Sequence, residues 1–208
     1  MSQIIDLPMM RLETELRAET FNESEFTMDC CWTTGATGRR VSWSEGAYDE
    51  ELIVTPNAVR LARLNAGAAL LDAHAGYSCN AVIGCVVPGS ARIANGIGTA
   101  QVQLSRAAGV ADTVQKIREK SIRNMSVGYV RHTIEKTERD GAVPLWRVTD
   151  WEPFELSAVP IGFDAGAQFR SLPDRQEALY PCRIVGASAV EIARARLRMR
   201  ARGLAAVA

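Results

Sequence analysis

The chain of 208 residues lacks the features that mark a membrane or secreted protein. No run of about 18 apolar residues is present, so the sequence predicts no transmembrane helix. The first eleven residues do not place a basic region before an apolar core, so no secretory signal is expected. With 47% hydrophobic and 23% charged residues, the composition is that of a globular protein and excludes a mostly disordered chain. We therefore expect a cytoplasmic protein.

Histidine is scarce, and cysteine lacks metal-binding or redox spacing. His74 and His132 are the only histidines, which argues against a His-rich metal site. The five cysteines include no C-x-x-C pair, so we expect reduced and mostly buried thiols. Chemistry in this chain has to be sought among other residue types.

The net charge is zero, but the two ends of the chain differ in sign. Residues 1–50 contain 4 basic and 10 acidic side chains, and residues 170–208 contain 8 arginines and 3 acidic side chains. A basic end favours an electrostatic partner. A nucleic acid, an acidic protein and the acidic first part of the chain itself are all open as that partner.

Period-two patterns and turn signals predict a mostly β domain with inserted helices, of the α+β class. Strand-like stretches alternate or are apolar over a few residues: 9–18, 26–32, 68–71, 81–87, 90–94, 97–104, 122–134 and 142–159. Asn95-Gly96 and Asp140-Gly141 are typical of tight hairpin turns. Helical spacing is found over residues 57–64 and 110–120.

A basic helical tail is predicted to follow this domain. Residues 162–173 are rich in Gly, Ala and Asp, as in a loop that leaves a domain. Residues 188–202 predict a helix with Ser188 as N-cap and Glu191 completing a capping box. Five arginines between residues 194 and 202 occupy most of its remaining surface; such a stripe is more often a solvated face than a nucleic-acid site. The predicted organisation is a domain over residues 1–172 and a linker with helical tail over 173–208.

Three residues could together carry nucleophilic catalysis. His74 ends an apolar strand, and Ser126 and Glu155 lie on the two strands around Asp140-Gly141. A serine nucleophile needs a base such as imidazole, and a carboxylate commonly orients that base. A two-residue turn at Asp140-Gly141 would place Ser126 directly opposite Glu155, on the same face.

Each of these residues also has an ordinary structural interpretation. A serine in an alternating strand is usually a polar face residue, a lone histidine at a strand end usually has a structural partner, and Glu155 could be a rim charge. His132 is a competing base, on a segment that looks exposed. Pro144 and Pro153 favour bulges that would shift the pairing of the two strands.

Three segments over roughly residues 20–172 resemble the tailed-phage prohead serine proteases, the HK97-type capsid maturation family. Residues 59–67 leading into 70–74 (LLDAH) resemble the approach to that family's catalytic histidine. Residues 122–129 (IRNMSVGY) resemble its nucleophile strand, and 151–160 (WEPFELSAVP) its E-x-S-x-V-P element. The order and spacing of the three motifs carry the resemblance.

The resemblance implies a herpesvirus-protease-like β-barrel and an endopeptidase that acts without a metal or organic cofactor. It implies Ser126 as nucleophile, His74 as general base and acid, and Glu155 as third member. The implied substrates are the scaffold or delta segment of a phage or prophage major capsid protein, and the protease itself. Cleavage would take place in the host cytoplasm, inside the procapsid, with no membrane partner.

Other function classes stay open at this point. A non-catalytic β-barrel assembly protein of a phage capsid or tail is the main alternative, because fold does not fix function. An arginine-tailed nucleic-acid-binding protein is a weaker alternative. Homo-oligomer formation is open as well.

Overall fold

The computed structural model of the chain describes residues 2–42, 46–160 and 179–185, and in these the protein is mostly β, as predicted. The strands are β1 (Ser2–Pro8), β2 (Met10–Asn22), β3 (Thr27–Thr33), β4 (Gly38–Ser42), β5 (Gly46–Leu52), β6 (Ala69–Asp72), β7 (Val82–Val86), β8 (Arg92–Ala94), β9 (Ile97–Leu104), β10 (Asn124–Thr137), β11 (Leu145–Val159) and β12 (Leu179–Val185). The helices are α1 (Ala62–Asn65) and α2 (Ala111–Arg118), with 3-10 turns at Cys79–Ala81 and Ala108–Val110.

Local sequence signals account for several of these elements. In β2 the apolar Leu12 and Leu16 are buried, as the alternation predicts. Asn95 and Gly96 both have positive φ, 52° and 75°, and join β8 to β9 in the predicted hairpin. Helix α2 confirms the predicted helix and buries Val114 and Ile117 on one face.

The strands form one mixed sheet in which seven strands are joined in a circuit. The order β10-β2-β3-β9-β7-β6-β11 returns to its start, because β10 and β11 also pair with each other. β12 and β1 extend the sheet outward from β10, and β5 and β4 extend it from β11. The long β10–β11 hairpin is therefore part of the circuit and also pairs with the strands that extend the sheet on either side of it.

The hairpin register differs from the prediction by two residues. Ser126 lies opposite Ser157, and Gly128 lies opposite Glu155, so the predicted pairing of Ser126 with Glu155 is wrong. The turn at Asp140-Gly141 is present, but the strands end at Thr137 and Leu145, which leaves a seven-residue loop. Register shifts within the hairpin add to this offset.

Ser126 and Glu155 still lie on the same face of the hairpin, as predicted. Side chains alternate between faces with a period of two, so a shift of two residues does not change the face. Met125, Val127, Leu156 and Ala158 belong to the hydrophobic core. The residues between them, Ser126 on β10 and Glu155 and Ser157 on β11, therefore lie on the other face of the hairpin. Leu70 of β6 is also in the core and pairs with Leu156, which brings the end of β6 to this hairpin.

Four strands were not predicted, and one of them corrects the proposed linker. The missed strands are β1, β4, β5 and β12. β12 lies within the predicted linker, but it pairs with β1 and β10 and so belongs to the sheet. The predicted helix over 57–64 is largely turn, with only Ala62–Asn65 helical. The predicted helix over 188–202 lies outside the described residues.

Within the described ranges, no helix combines the length and the apolar character needed to cross a membrane.

Candidate functional site

The backbone after β6 turns sharply and carries His74 to the outer face of the hairpin. Ala73 and His74 both adopt left-handed conformations, with φ of 45° and 63°. Residues other than glycine rarely do so, and each such residue costs about 1–3 kcal/mol. The turn is fixed on the hairpin by the Ala73 amide, which donates to the Ala158 carbonyl at 3.0 Å. Two successive strained residues show that the surrounding structure, rather than local preference, sets the direction of the His74 side chain.

His74 and Glu155 form a close pair in this turn. Nδ1 of His74 lies 2.6 Å from Oε1 of Glu155, and the two side chains are only 10% and 9% exposed. An ionised carboxylate can only accept a hydrogen bond, so Nδ1 carries the proton and donates it to Glu155. This tautomer leaves Nε2 as the basic nitrogen of the ring. The predicted association of His74 with Glu155 is therefore present.

Ser157, the serine of the E-x-S-x-V-P element, completes this hydrogen-bond network, and no role was predicted for it. Its Oγ donates to Oε2 of Glu155 at 2.5 Å and accepts the backbone N–H of His74 at 3.2 Å. The side chain is fully buried. One signal was available: Ser157 follows Glu155 by two residues, a spacing that puts both on one face of a strand.

Gly128 provides the space in which the Glu155 carboxylate lies. A Cβ at this position would be 2.4 Å from Oε1 of Glu155 and 3.2 Å from its Cγ. Gly128 has an ordinary φ, so the close approach of Glu155 is what requires a glycine here. The sequence contains one signal for this role: Gly128 follows Ser126 by two residues, a spacing that puts both on one face of a strand.

Ser126 lies on the same face as this network, diagonally across the hairpin from Glu155. Its side chain is 1% exposed, and Oγ has no hydrogen-bond partner among the described residues. An unpaired buried hydroxyl costs about 1–3 kcal/mol. Oγ of Ser126 therefore makes no hydrogen bond to His74 or to Glu155, although Ser126 shares the hairpin face of Glu155.

The other histidine is placed elsewhere. Nε2 of His132 lies 3.7 Å from Oε2 of Glu152, beyond hydrogen-bond distance. Glu152 is also 3.8 Å from Arg63. His132 therefore belongs to a different group of charges from Glu155.

A second buried polar cluster, which was not predicted, is centred on Glu50. Glu50 of β5 accepts hydrogen bonds from Arg131 at 2.9 Å, from Arg40 at 3.3 Å, and from the hydroxyl of Tyr129. Burial raises the pKa of Glu50, but the two guanidinium groups outweigh burial and the net pKa lies below the usual range. Burial also raises the pKa of the Tyr48 hydroxyl, which accepts from Arg131. The cluster ties β4 and β5 to β10.

Among the described residues, no group of three or more His, Cys, Asp or Glu side chains is arranged to hold a metal ion. The candidate site consists of Ser126, His74, Glu155, Ser157 and Gly128. No protein-family model, curated protein or solved structure matches the chain.

Proposed function

We propose that the chain is a serine endopeptidase of the tailed-phage prohead type, with Ser126 as nucleophile, His74 as general base and Glu155 as the residue that orients it. The observation that carries the proposal is the 2.6 Å contact between His74 and Glu155 on the hairpin face that also holds Ser126. A nucleophile, a base and an orienting carboxylate are the parts that acyl transfer to serine requires.

The proposed mechanism follows from the tautomer of His74. Nε2 takes the proton of the Ser126 hydroxyl as its oxygen attacks the carbonyl carbon of the peptide bond. His74 then gives this proton to the leaving amine, and an acyl-enzyme on Ser126 forms. Water then gives a proton to the same nitrogen and attacks the acyl group, and His74 returns this proton to Oγ of Ser126 as the acyl–oxygen bond breaks. Glu155 stays ionised and stabilises the imidazolium that forms in each half of the reaction.

The seven-strand circuit supports the fold that the resemblance implies. We interpret β10-β2-β3-β9-β7-β6-β11 as the herpesvirus-protease-like barrel, with the site on the face of the β10–β11 hairpin opposite the hydrophobic core. The proposed substrates are the scaffold or delta segment of a major capsid protein and the protease itself. The proposed location is the procapsid, in the host cytoplasm.

The burial of Ser126 favours a second function. A nucleophile must meet its substrate, yet this side chain is 1% exposed. In a non-catalytic β-barrel assembly protein, the same residues would form a buried hydrogen-bond network that needs no access. The two functions make opposite predictions for substitution of Ser126.

Co-expression with the major capsid protein of the same genome separates them. Mass spectrometry of the products should show trimmed capsid protein with the wild type, and uncleaved protein with Ser126→Ala and with His74→Ala. Ser121→Ala, which removes an exposed serine outside the site, should cleave as the wild type does. Cleavage by Ser126→Ala would contradict the proposed nucleophile. Intact capsid protein with every chain, assembled normally, would favour the non-catalytic function.

A further inference from the structure

We propose that Ser157 is a positioning residue of this site, which orients both the Glu155 carboxylate and the backbone of His74 through one hydroxyl group. The inference rests on the proposed function, because it assigns a role in the same reaction. It adds a fourth side chain to the three that sequence reasoning identified.

The two hydrogen bonds of Ser157 act on two different parts of the site. Its proton goes to Oε2 of Glu155, which leaves Oε1 directed at Nδ1 of His74. Its lone pair receives the N–H of His74, one of two consecutive residues in a left-handed conformation. The Ser157 hydroxyl thus holds both partners of the His74–Glu155 hydrogen bond. It binds the Glu155 carboxylate, which accepts that bond, and the backbone of His74, whose side chain donates it.

Hydrogen bonding distinguishes Ser157 from the proposed nucleophile. It lies directly opposite Ser126, so the two hydroxyls share one face of the hairpin. The Ser157 hydroxyl is engaged as donor and as acceptor, whereas Oγ of Ser126 has no partner among the described residues. A hydroxyl that is held on both sides suits orientation, and an unpaired one suits reaction.

Substitution of Ser157 should affect turnover rather than substrate binding. Ser157→Ala removes a hydrogen bond to a charged group, which corresponds to roughly a 10- to 100-fold loss of kcat. KM should change little, because both hydrogen bonds of Ser157 go to groups of the chain itself, the Glu155 carboxylate and the His74 backbone. Ser121→Ala is a matched control, since that serine also donates to a glutamate two residues away but is exposed.

A spectroscopic readout tests the same claim without cleavage. The chain has two histidines, so ring-¹⁵N labelling with a His132→Gln variant assigns the proton resonance of His74 Nδ1–H. In the wild type this proton should resonate far downfield, because it is shared with Glu155. In Ser157→Ala it should shift upfield or broaden by exchange. Glu155→Gln should produce a similar loss, and the double variant should lose little more in kcat if Ser157 acts through Glu155.

The outcomes separate this inference from the proposed function. Loss of kcat with a shifted His74 resonance supports it, whereas wild-type kcat and an unchanged resonance in Ser157→Ala overturn it and leave the protease proposal standing. If no chain cleaves, the protease proposal fails, and the His74 resonance still decides whether Ser157 positions the pair. If Ser157→Ala does not fold, Ser157→Cys fills the same space with a weaker donor. A wild-type resonance in that variant overturns the inference, and a shifted one supports it.

Discussion

Substitution of Gly128 offers a sharp test of how the site is built, because the three atoms nearest to the added methyl group all belong to the Glu155 side chain. In Gly128→Ala the new Cβ would lie 2.4 Å from Oε1 of Glu155, against an ordinary contact distance of at least 3.4 Å. The carboxylate must therefore retreat by about 1 Å, and the Nδ1–Oε1 distance of 2.6 Å would stretch beyond a hydrogen bond.

The expected effect on cleavage is large, and the expected effect on stability is small. Misplacing a catalytic group by about 1 Å costs on the order of 100-fold, and losing the orienting carboxylate of a serine protease costs about 10,000-fold. We therefore expect kcat to fall between these limits. Lost hydrogen bonds to Glu155 cost about 1–3 kcal/mol, partly offset by the lower entropy of the unfolded alanine chain. The melting temperature should drop by only about 2–8 °C.

A peptide-cleavage assay and thermal unfolding measure the two effects side by side. Gly109→Ala is the matched control, since a Cβ there meets nothing within 4 Å and its φ is not positive. In a Glu155→Ala background the methyl group has room, so Gly128→Ala should cost little further activity. Wild-type kcat in folded Gly128→Ala, or an equal loss in both backgrounds, would contradict the role assigned to Gly128.

The remaining predictions concern the buried cluster and the tail. Glu50→Gln should lower the free energy of unfolding by about 3–5 kcal/mol, because it leaves Arg40 and Arg131 buried without a carboxylate. Asp49→Asn, at a partly exposed neighbour, should cost at most about 1 kcal/mol; equal losses in urea unfolding would contradict this. Because the folded pKa of Glu50 is lowered, its contribution is complete above the ordinary value of 4.5 and declines below it. The wild type should therefore lose more stability than Glu50→Gln between about pH 5 and pH 3, and parallel curves would exclude Glu50 as the cause. Deletion of residues 186–208 should preserve cleavage of a short peptide but prevent entry into procapsids; loss of peptide cleavage would show that the tail belongs to the domain.

The parts of the fold that were predictable are those with local causes. β2 alternates in its own sequence, and the β8–β9 hairpin has Asn95-Gly96 at its turn. β4 and β5 were missed because Arg40 and Glu50 look like surface charges until their ion pair is known. β1 and β12 depend on each other across most of the chain, since Ser2 pairs with Val185. No short window of sequence contains both partners.

The site was predictable as a set of residue types but not as a network. His74, Ser126 and Glu155 carry functional groups that acyl transfer needs, but pattern alone left each with an ordinary structural interpretation, and the three motifs that resemble the prohead proteases singled them out. Ser157 and Gly128 carry no such signal, because serine and glycine occur in many strands for many reasons. Their roles depend on the hairpin register. Bulges and a seven-residue loop shift this register away from the one that a two-residue turn would produce. A register is a property of two strands together, and neither strand alone encodes it.

Once the register is known, two short patterns in the sequence become parts of one arrangement. Ser126 and Gly128 form S-x-G on β10, and Glu155 and Ser157 form E-x-S on β11, with Ser126 opposite Ser157 and Gly128 opposite Glu155. Because each pair is spaced by two and the strands are antiparallel, all four lie on one face, and a slip of one residue would turn one pair away from the other. The glycine must oppose the glutamate, since it makes room for the carboxylate that His74 contacts from β6. The spacing of both motifs is thus a geometric requirement of holding one carboxylate between a histidine and a serine.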